Sequence, residues 1–166
     1  GQSVAYTNYS GDGGVSIGSF FKRLGFALRY SELNLLISNQ LSDDSKLIME
    51  RNIVSRVKKA APFLYTDNDP SLALISGDLF WIIDMYTVSD KYPYAQPADT
   101  RRINENSGLP MNFNYLRNSV KAVVNAYDGT IDFYVVDSKD PIIQSYQDIF
   151  PDLFSPETDM SSDLLD

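Results

Sequence analysis

The chain has no cysteine and no histidine among its 166 residues. This absence excludes thiolate nucleophiles, disulfides, zinc sites built from Cys and His, and any imidazole general base supplied by the chain itself. The lack of cysteine does not define a redox compartment, because a domain of this size is stable without disulfides inside or outside the cytoplasm. Most common catalytic devices are therefore missing, and the residues alone do not define an activity.

Long apolar runs and clusters of basic residues are missing as well. No run approaches the ~20 apolar residues that cross a bilayer, and no signal peptide is recognisable at the start, so we expect the chain as given to be soluble. The formal net charge is -8, and eight acidic residues against one lysine lie between residues 137 and 166. An acidic chain without a basic stripe lacks the phosphate-neutralising charge that nucleic-acid binding requires. We expect no nucleic-acid partner.

What is present is the composition of an ordinary globular protein, with 43% hydrophobic and 22% charged residues. The patterns predict an α+β fold, in which an antiparallel sheet built from two β-hairpins, at about 72–87 and 119–137, packs with N-terminal helices and a C-terminal helix. We predict one globular domain over residues 1–154. The remainder, 155–166, reads as an acidic, weakly ordered tail.

Helical patterns occur in four places. Apolar residues recur at helical spacing from Val15 to Tyr30, and the apolar segment Leu33–Ile37 follows, so we expect both to be core. The alternative for the first helix, which carries three basic residues and no acid, is a helix that lies on a membrane surface. Ser42 with the acids Asp43 and Asp44 at the start, bases near the far end and Pro62 after it predict a helix from 42 to 61. Asp140-Pro141 predicts the start of the C-terminal helix, which Pro151 ends.

Two turn signals place the hairpins. Gly77-Asp78 joins SLALIS to LFWIIDMYT, which predicts that Ile75 faces Phe80, and the apolar character of both faces predicts a central hairpin that is covered on both sides. Asp128-Gly129 joins the second pair of strands in a turn with positive φ, and Ala126 is then expected opposite Ile131.

The same second hairpin raises a question of function, because VNAYDGTIDFYVVD (124–137) carries three aspartates. Either these form an acidic catalytic or metal site, or the segment is a turn between two strands. Alternation places Asp132 on the face opposite the inferred core, together with Lys121 and Tyr134, and Asp128 occupies a turn position that aspartate favours. We interpret the segment as scaffold.

The best functional candidate is the long segment from Ser89 to Arg117, which has three prolines and little periodicity. Loops of this length tend to be functional or disordered, and this one is too aromatic for simple disorder. We predict a binding surface there formed by Tyr92, Tyr94, Arg101 and Arg102, since tyrosine and arginine supply anchors at protein interfaces. The alternative is that the tyrosines pack over the sheet edge and the arginines pair with Asp99 or Glu105.

Other acidic and glycine-rich patterns are weaker. Paired carboxylates for glycoside chemistry could come from five aspartates, at positions 84, 90, 128, 132 and 137, but spacing alone decides nothing. The Asp67-Asn68-Asp69 cluster matches an EF-hand loop only in part, because Leu72 stands where glycine is needed. Gly11, Gly13 and Gly14 lack the Lys-Ser/Thr of a phosphate loop. We assign no catalytic residue, no metal and no cofactor.

Three segments resemble uncharacterised protein family 0182, a family of large prokaryotic proteins. They are GGVSIGSFFKRLGFALRYSELNLLIS (13–38), APFLYTDNDPSLALISGDLFWIIDMYTVSDKYPYAQP (61–97) and NYLRNSVKAVVNAYDGTIDFYVVDSKDPIIQSYQDIFPDLF (114–154). The resemblance implies that the chain is part of a longer protein with several N-terminal membrane spans. It implies a cell-membrane location for that protein, with this domain on the extracytoplasmic side. The family supplies no catalytic residue.

Three functions from different classes remain open. The first, which we favour, is an interaction or scaffold domain that binds other parts of its own longer chain or an extracytoplasmic protein. The second is a ligand-sensing module, on the loose analogy of a long helix followed by antiparallel hairpins. The third is a contribution of acids to an active site completed by the missing chain. The absence of common catalytic groups makes an enzyme the less favoured reading.

Overall fold

The structure, a computed structural model, describes residues 9–11, 13–161 and 164. Residues 162, 163, 165 and 166 of the predicted acidic tail lie outside the described residues. The chain divides into two compact units, 1–49 and 50–166. Helices occur together with sheets that are mainly antiparallel, which agrees with the α+β class.

The first unit consists of a small two-stranded sheet and two helices. Strand β1 (Val15–Ser16) pairs antiparallel with β2 (Lys46–Leu47), and the helices are α1 (Phe20–Tyr30) and α2 (Asn34–Ile37). Helix α1 begins where the Ser19 side chain accepts a hydrogen bond from the backbone N–H of Lys22, and it ends at Ser31 in the left-handed region, with φ of 55°. Ser31 thus ends the first helix and does not cap the second.

The expectation that α1 and α2 are core helices is wrong. Phe21 is 82% exposed and Leu28 is 73% exposed, and Leu33 and Ile37 are exposed as well. Within α1 the one buried residue is Ala27. The helical period shows which side chains share a face, but it does not show whether that face meets a partner within the same chain.

The predicted helix from 42 to 61 is correct only in its second half, where α3 spans Ile53–Ala60. The first half is interrupted because residues 46–47 pair with β1, and Glu50 adopts a left-handed conformation with φ of 51°. Asn52 then caps the helix, and its side-chain Oδ1 accepts from the N–H of Ser55 at 2.9 Å. Strand pairing and a break at Glu50 override the charge pattern that favoured a longer helix.

The second unit is a six-stranded sheet with two helices. In chain order the elements after α3 are β3 (Tyr65–Thr66), β4 (Ser71–Ile75), β5 (Asp78–Ser89), β6 (Tyr115–Asn125), β7 (Ile131–Val135), α4 (Pro141–Ile149) and β8 (Phe154–Pro156). The sheet order is β3-β5-β6-β7-β8, and β4 also pairs with β5. All pairs are antiparallel except β7 with β8. The sheet thus has two strands, β3 and β8, beyond the segments of the predicted hairpins.

The predicted registers of both strand pairs are wrong. Ile75 lies opposite Asp78, so the first turn is Ser76-Gly77, one residue earlier than predicted. Both turn residues have positive φ, 52° and 95°, as a two-residue hairpin turn requires. In the second pair Val124 lies opposite Ile131, because the connection is longer than two residues. That shift of two positions leaves the same side chains on the same face.

The position predicted for the first pair of strands is also wrong for β4. Strand β6 pairs along β5 from Phe80 to Ser89, so β3 and β4 lie on the opposite edge of β5. Strand β4 is thus an edge strand, and no strand of the described chain pairs with its outer side. An apolar sequence on both faces predicts a central strand, but here it belongs to an incompletely covered edge strand.

The core of the second unit lies between one face of the sheet and helices α3 and α4. Val57 of α3 and Ile143 of α4 are fully buried. They belong to one cluster with buried side chains of β5, β6 and β7: Ile83, Met85, Val120, Ala122, Val124, Phe133 and Val135. The aromatic residues Phe63 and Tyr146 close this cluster at its margin, with ring centroids 4.5 Å apart. Helices α3 and α4 thus pack on the sheet whose strands β5 and β6 are joined by the long loop.

Candidate functional site

The long loop between β5 and β6 is held by the side chain of Asn114 and by hydrogen bonds of its own backbone. Asn114 fixes the first turn, since its Oδ1 accepts from the N–H of Tyr92 at 2.9 Å and its Nδ2 donates to the carbonyl of Tyr92 at 2.8 Å. Farther along, the N–H of Ala98 donates to the carbonyl of Phe113 at 2.8 Å. Two short 3-10 turns, Thr100–Arg102 and Glu105–Ser107, occupy the tip. The loop is therefore ordered, and these hydrogen bonds fix the backbone positions from which its exposed side chains extend.

Tyr92 is a packing residue. Its ring is half-buried and stacks on the ring of Tyr115 in β6, with centroids 4.3 Å apart and planes 20° apart. Stacking of this kind contributes about 1 kcal/mol beyond the buried area. Tyr92 was considered either as part of a binding surface or as a residue that packs over the sheet edge, and its position is that of a packing residue.

Tyr94 is placed differently, although it lies only two residues away. Its side chain is fully exposed, and its backbone is in the left-handed region with φ of 60°. That conformation costs a non-glycine residue roughly 1–2 kcal/mol. Backbone conformations of this kind are concentrated at functional sites, such as ligand-contacting and switch regions.

The two arginines also differ. Arg101 pairs with Asp99, with Nε to Oδ1 at 2.8 Å and Nη2 to Oδ2 at 2.7 Å, in the way one alternative predicted. The side chain of Arg102 is exposed and makes no hydrogen bond or ion pair with any residue that the structure describes. Tyr94 and Arg102 are thus the two predicted site residues whose side chains are available to a partner.

A buried carboxylate lies behind this loop, and sequence reasoning identified it only as a helix cap. Asp140 is completely buried at the N-terminus of α4. Its Oδ1 accepts from the Tyr115 hydroxyl at 2.6 Å and from the N–H of Ile142 at 2.9 Å. Its Oδ2 accepts from Ser119 Oγ at 2.5 Å and from Thr87 Oγ1. The predicted cap is confirmed, and the carboxylate also joins strands β5 and β6 to α4.

The surroundings decide the charge state of this cluster. Burial raises the pKa of Asp140, but donors from Ser119, Thr87, Tyr115 and a backbone N–H outweigh burial, so the pKa lies below its usual value. Burial, followed by the hydrogen bond to Asp140, raises the pKa of the Tyr115 phenol above its usual range. The pair is therefore an ionised carboxylate and a neutral phenol at neutral pH. With no exposed surface, this carboxylate stabilises the fold and cannot reach a substrate.

Three of the five aspartates considered as catalytic candidates are bound to other groups of the domain. Asp84 pairs with Lys121 at 2.7 Å across β5 and β6, and Asp137 pairs with Arg117 at 2.7 Å. Asp128 accepts from Thr130 N–H at 2.9 Å, and φ is positive at Gly129 but not at Asp128. Over the described ranges, no three acidic side chains come together as a metal site would require. These contacts agree with the scaffold interpretation of the acidic hairpin.

A cleft lies beside the base of the loop, with a volume of about 470 Å³. It is lined by residues of β3, β5 and the loop: Tyr65, Val88, Ser89, Asp90, Pro110, Met111 and Asn112. Among the described residues that line it, Asp90 is the one carboxylate, and a second acid, as hydrolysis of a glycoside needs, is not among them.

The fold and the loop define an α+β domain with an exposed, conformationally fixed loop and no catalytic cluster within the described residues. The chain belongs to the uncharacterised protein family UPF0182, whose model matches residues 1–166. A UPF0182 protein of Trichodesmium erythraeum is 46% identical over 162 residues, covering 93% of this chain and 18% of the relative. No solved structure matches.

Similar relatives occur in other prokaryotes. UPF0182 proteins of Methanospirillum hungatei and Pelotomaculum thermopropionicum are 45% and 43% identical, and each alignment covers 99% of this chain. It covers 18% and 17%, respectively, of those relatives. The chain therefore spans less than a fifth of the length of these curated relatives, and their names assign no activity.

Proposed function

We propose that this chain is an interaction or scaffold module of a longer protein, here called the parent chain, and that it binds other parts of that chain or an extracytoplasmic partner. The observation that carries the proposal is the exposed apolar surface of α1 and α2. Phe20, Phe21 and Leu28 are exposed on α1, and Leu33 and Ile37 are exposed at α2. Exposed apolar surface of this kind is typical of contact sites for other protein segments.

The loop between β5 and β6 supports the same proposal at a second place. Tyr94 and Arg102 are residue types that dominate binding energy at interfaces, and both side chains are available to a partner. Because the Tyr94 side chain is fully exposed, burial of that side chain does not account for its unfavourable backbone conformation, which supports a role in contact with a partner. We propose Tyr94 and Arg102 as anchors, with Tyr92 and Arg101 holding the loop in shape.

The relatives support the wider setting. Because the chain covers 16–18% of the relatives, a protein of their length has most of its residues outside this domain. We propose that the parent chain lies in the cell membrane with this domain on the extracytoplasmic side. Within the part of the chain that the structure describes, none of the helices has the length and apolar character of a membrane span. We propose that the spans lie elsewhere in the parent chain.

The experiment is a binding measurement between this chain and the remainder of the parent chain, produced separately. Tyr94→Ala and Arg102→Ala should each weaken association about tenfold or more, while the melting temperature of the domain stays nearly unchanged. Tyr92→Ala serves as the matched control, since it removes a stacked ring and should lower the melting temperature. If Tyr94→Ala and Arg102→Ala unfold the domain, the loop is packing. If the unaltered domain binds no part of the parent chain and no co-purifying protein, the interaction function is wrong.

A further inference from the structure

The outer side of β4 is a free strand edge with an unusual composition. In a two-residue hairpin the flanking pair, here Ile75 and Asp78, exchanges both hydrogen bonds, and such pairs alternate along the ladder. Ala73 and Ser71 therefore also bond to β5. The N–H and C=O groups of Leu72 and Leu74 point away from β5, and no strand of the described residues receives them.

The side chains at these two positions are exposed as well. Leu72 is 52% exposed, Leu74 is 70% exposed, and Leu79, opposite Leu74, is 46% exposed. These residues lie on the face of the sheet that carries Trp81 and Ile83, so they extend the core face beyond its covered part. Unpaired backbone N–H and C=O groups and exposed leucine side chains thus occur at the same edge of the sheet.

Proteins usually protect such edges with charges, prolines or bulges. Strand β4 reads SLALI and has no charged residue, no proline and no irregularity in its pairing with β5. An unprotected apolar edge of a sheet is the receiving surface for strand addition, in which backbone hydrogen bonds give affinity and alternate side chains give specificity.

We propose that β4 receives an added strand from the parent chain: an extended segment outside residues 1–166, with apolar side chains at alternate positions. This inference rests on the proposed function, because it needs a parent chain longer than this domain. The relatives supply that length, since this chain covers less than a fifth of them. A segment of the same polypeptide is present at high effective concentration and pairs without the cost of a separate association.

A second copy of this chain fits the edge less well. A strand of five residues is only about 17 Å long, so pairing between two copies would join two outward residues from each strand. A stable interface usually involves about 20–30 residues from each partner, so two residues from each strand form too small a contact. A segment of the same polypeptide does not need an interface of that size, because it is already tethered to the domain. We therefore favour a segment of the parent chain over a second copy as the occupant of this edge.

Hydrogen exchange in the full-length parent chain and in this chain alone tests the proposal directly. The amides of Leu72 and Leu74 should exchange about 100-fold more slowly in the parent chain, because the added strand accepts their hydrogen bonds. The amides of Ala73 and Ile75, already bonded to β5, should change much less and are the internal reference. Equal exchange of Leu72 and Leu74 in both proteins would overturn the proposal. So would protection in the isolated chain that depends on its concentration, because it would identify a second copy as the occupant.

Two substitutions at one position separate backbone pairing from side-chain packing. Leu72→Pro deletes an outward N–H and leaves the bonds to β5 in place, as prolines at sheet edges do, whereas Leu72→Ser keeps the N–H and removes the apolar side chain. In the binding assay with the remainder of the parent chain, Leu72→Pro should weaken association about tenfold and Leu72→Ser should weaken it less. Equal weakening would mean side-chain contact without strand addition. Unchanged binding by Leu72→Pro would overturn strand addition while leaving the interaction function intact, and if Leu72→Pro fails to fold, the exchange experiment decides.

Discussion

The hydroxyl of Tyr115 donates to Oδ1 of Asp140 across 2.6 Å, and this bond joins the start of β6 to the N-terminus of α4. On its other side, the Tyr115 ring stacks against Tyr92 of the long loop. The loop that carries Tyr94 and Arg102 is thus attached, through one tyrosine, to a buried carboxylate. This attachment anchors the first part of the loop, and the hydrogen bonds of Asn114 hold the same part in shape.

Removal of the Asp140 carboxylate should destabilise the domain strongly. Asp140→Ala deletes a helix cap and leaves the hydroxyls of Thr87, Ser119 and Tyr115 without their acceptor, so we expect a loss of about 3 kcal/mol or more in the free energy of unfolding, measured by urea denaturation. Asp137→Ala, which breaks a partly exposed pair with Arg117, is the control and should cost about 1 kcal/mol or less. Equal losses for the two variants would contradict the structural role of Asp140.

The same carboxylate should make stability depend on acid pH. The pKa of Asp140 is lower in the folded chain than in the unfolded chain, where it is about 3.9. Its contribution is therefore present above the unfolded pKa and is lost as pH falls through the folded pKa. We expect unfolding free energies measured below about pH 4 to fall less steeply for Asp140→Asn than for the unaltered protein. Parallel curves for the two proteins would show that Asp140 does not titrate on unfolding.

Two glycines should respond in opposite directions to alanine. Gly108 has φ of 84°, and an added Cβ would overlap the carbonyl oxygen of Thr66, so Gly108→Ala should cost about 2 kcal/mol or more. Gly25 lies within α1 with open space around its Cβ position, and Gly25→Ala should stabilise the helix by about 0.5–1 kcal/mol. Thermal unfolding of the two variants beside the unaltered chain measures both effects. A neutral Gly108→Ala would show that the loop does not approach Thr66 this closely.

The turn between β6 and β7 should tolerate change at Asp128 better than at Gly129. Gly129 has φ of 75°, which a β-branched side chain cannot adopt without strain, so Gly129→Val should destabilise the domain by about 1 kcal/mol or more. Asp128→Asn keeps the Oδ1 acceptor for the N–H of Thr130 and should be nearly neutral. Urea denaturation of both variants tests the order of the two effects, and the reverse order would mean that the carboxylate charge matters here.

Sequence patterns predicted the features that depend on local chemistry. The cap at Asp140, the positive φ at Gly129 and the alternation along β7 follow from residue types at adjacent positions, and all three are present. Register was not predictable, because it depends on which of several turn-forming residues adopt positive φ. Ser76, which rarely takes that conformation, does so here.

Features that depend on partners distant in the chain were not predicted, because no local pattern indicates them. Strands β3 and β8 are too short to show a period, and they exist because a neighbouring strand pairs with them. Ser119 and Thr87 are unremarkable in their strands until α4 brings Asp140 between them, 21 and 53 residues away along the chain. Of the four predicted site residues, Tyr92 stacks on Tyr115 and Arg101 pairs with Asp99, as the alternative interpretation expected. The exposure of Tyr94 depends on a loop conformation that the spacing of apolar residues does not indicate.

The parallel pairing of β8 with β7 has a consequence for synthesis of the protein. Strands β5, β6 and β7 are translated before α4, and β8 follows it, so the outer edge of β7 remains open until residues 154–156 have left the ribosome. During that interval the nascent chain has exposed strand edges at both sides of its sheet, and such edges promote association between chains. Residues 136–153, nine of which form α4, separate β7 from β8 in the chain and therefore set the length of this interval.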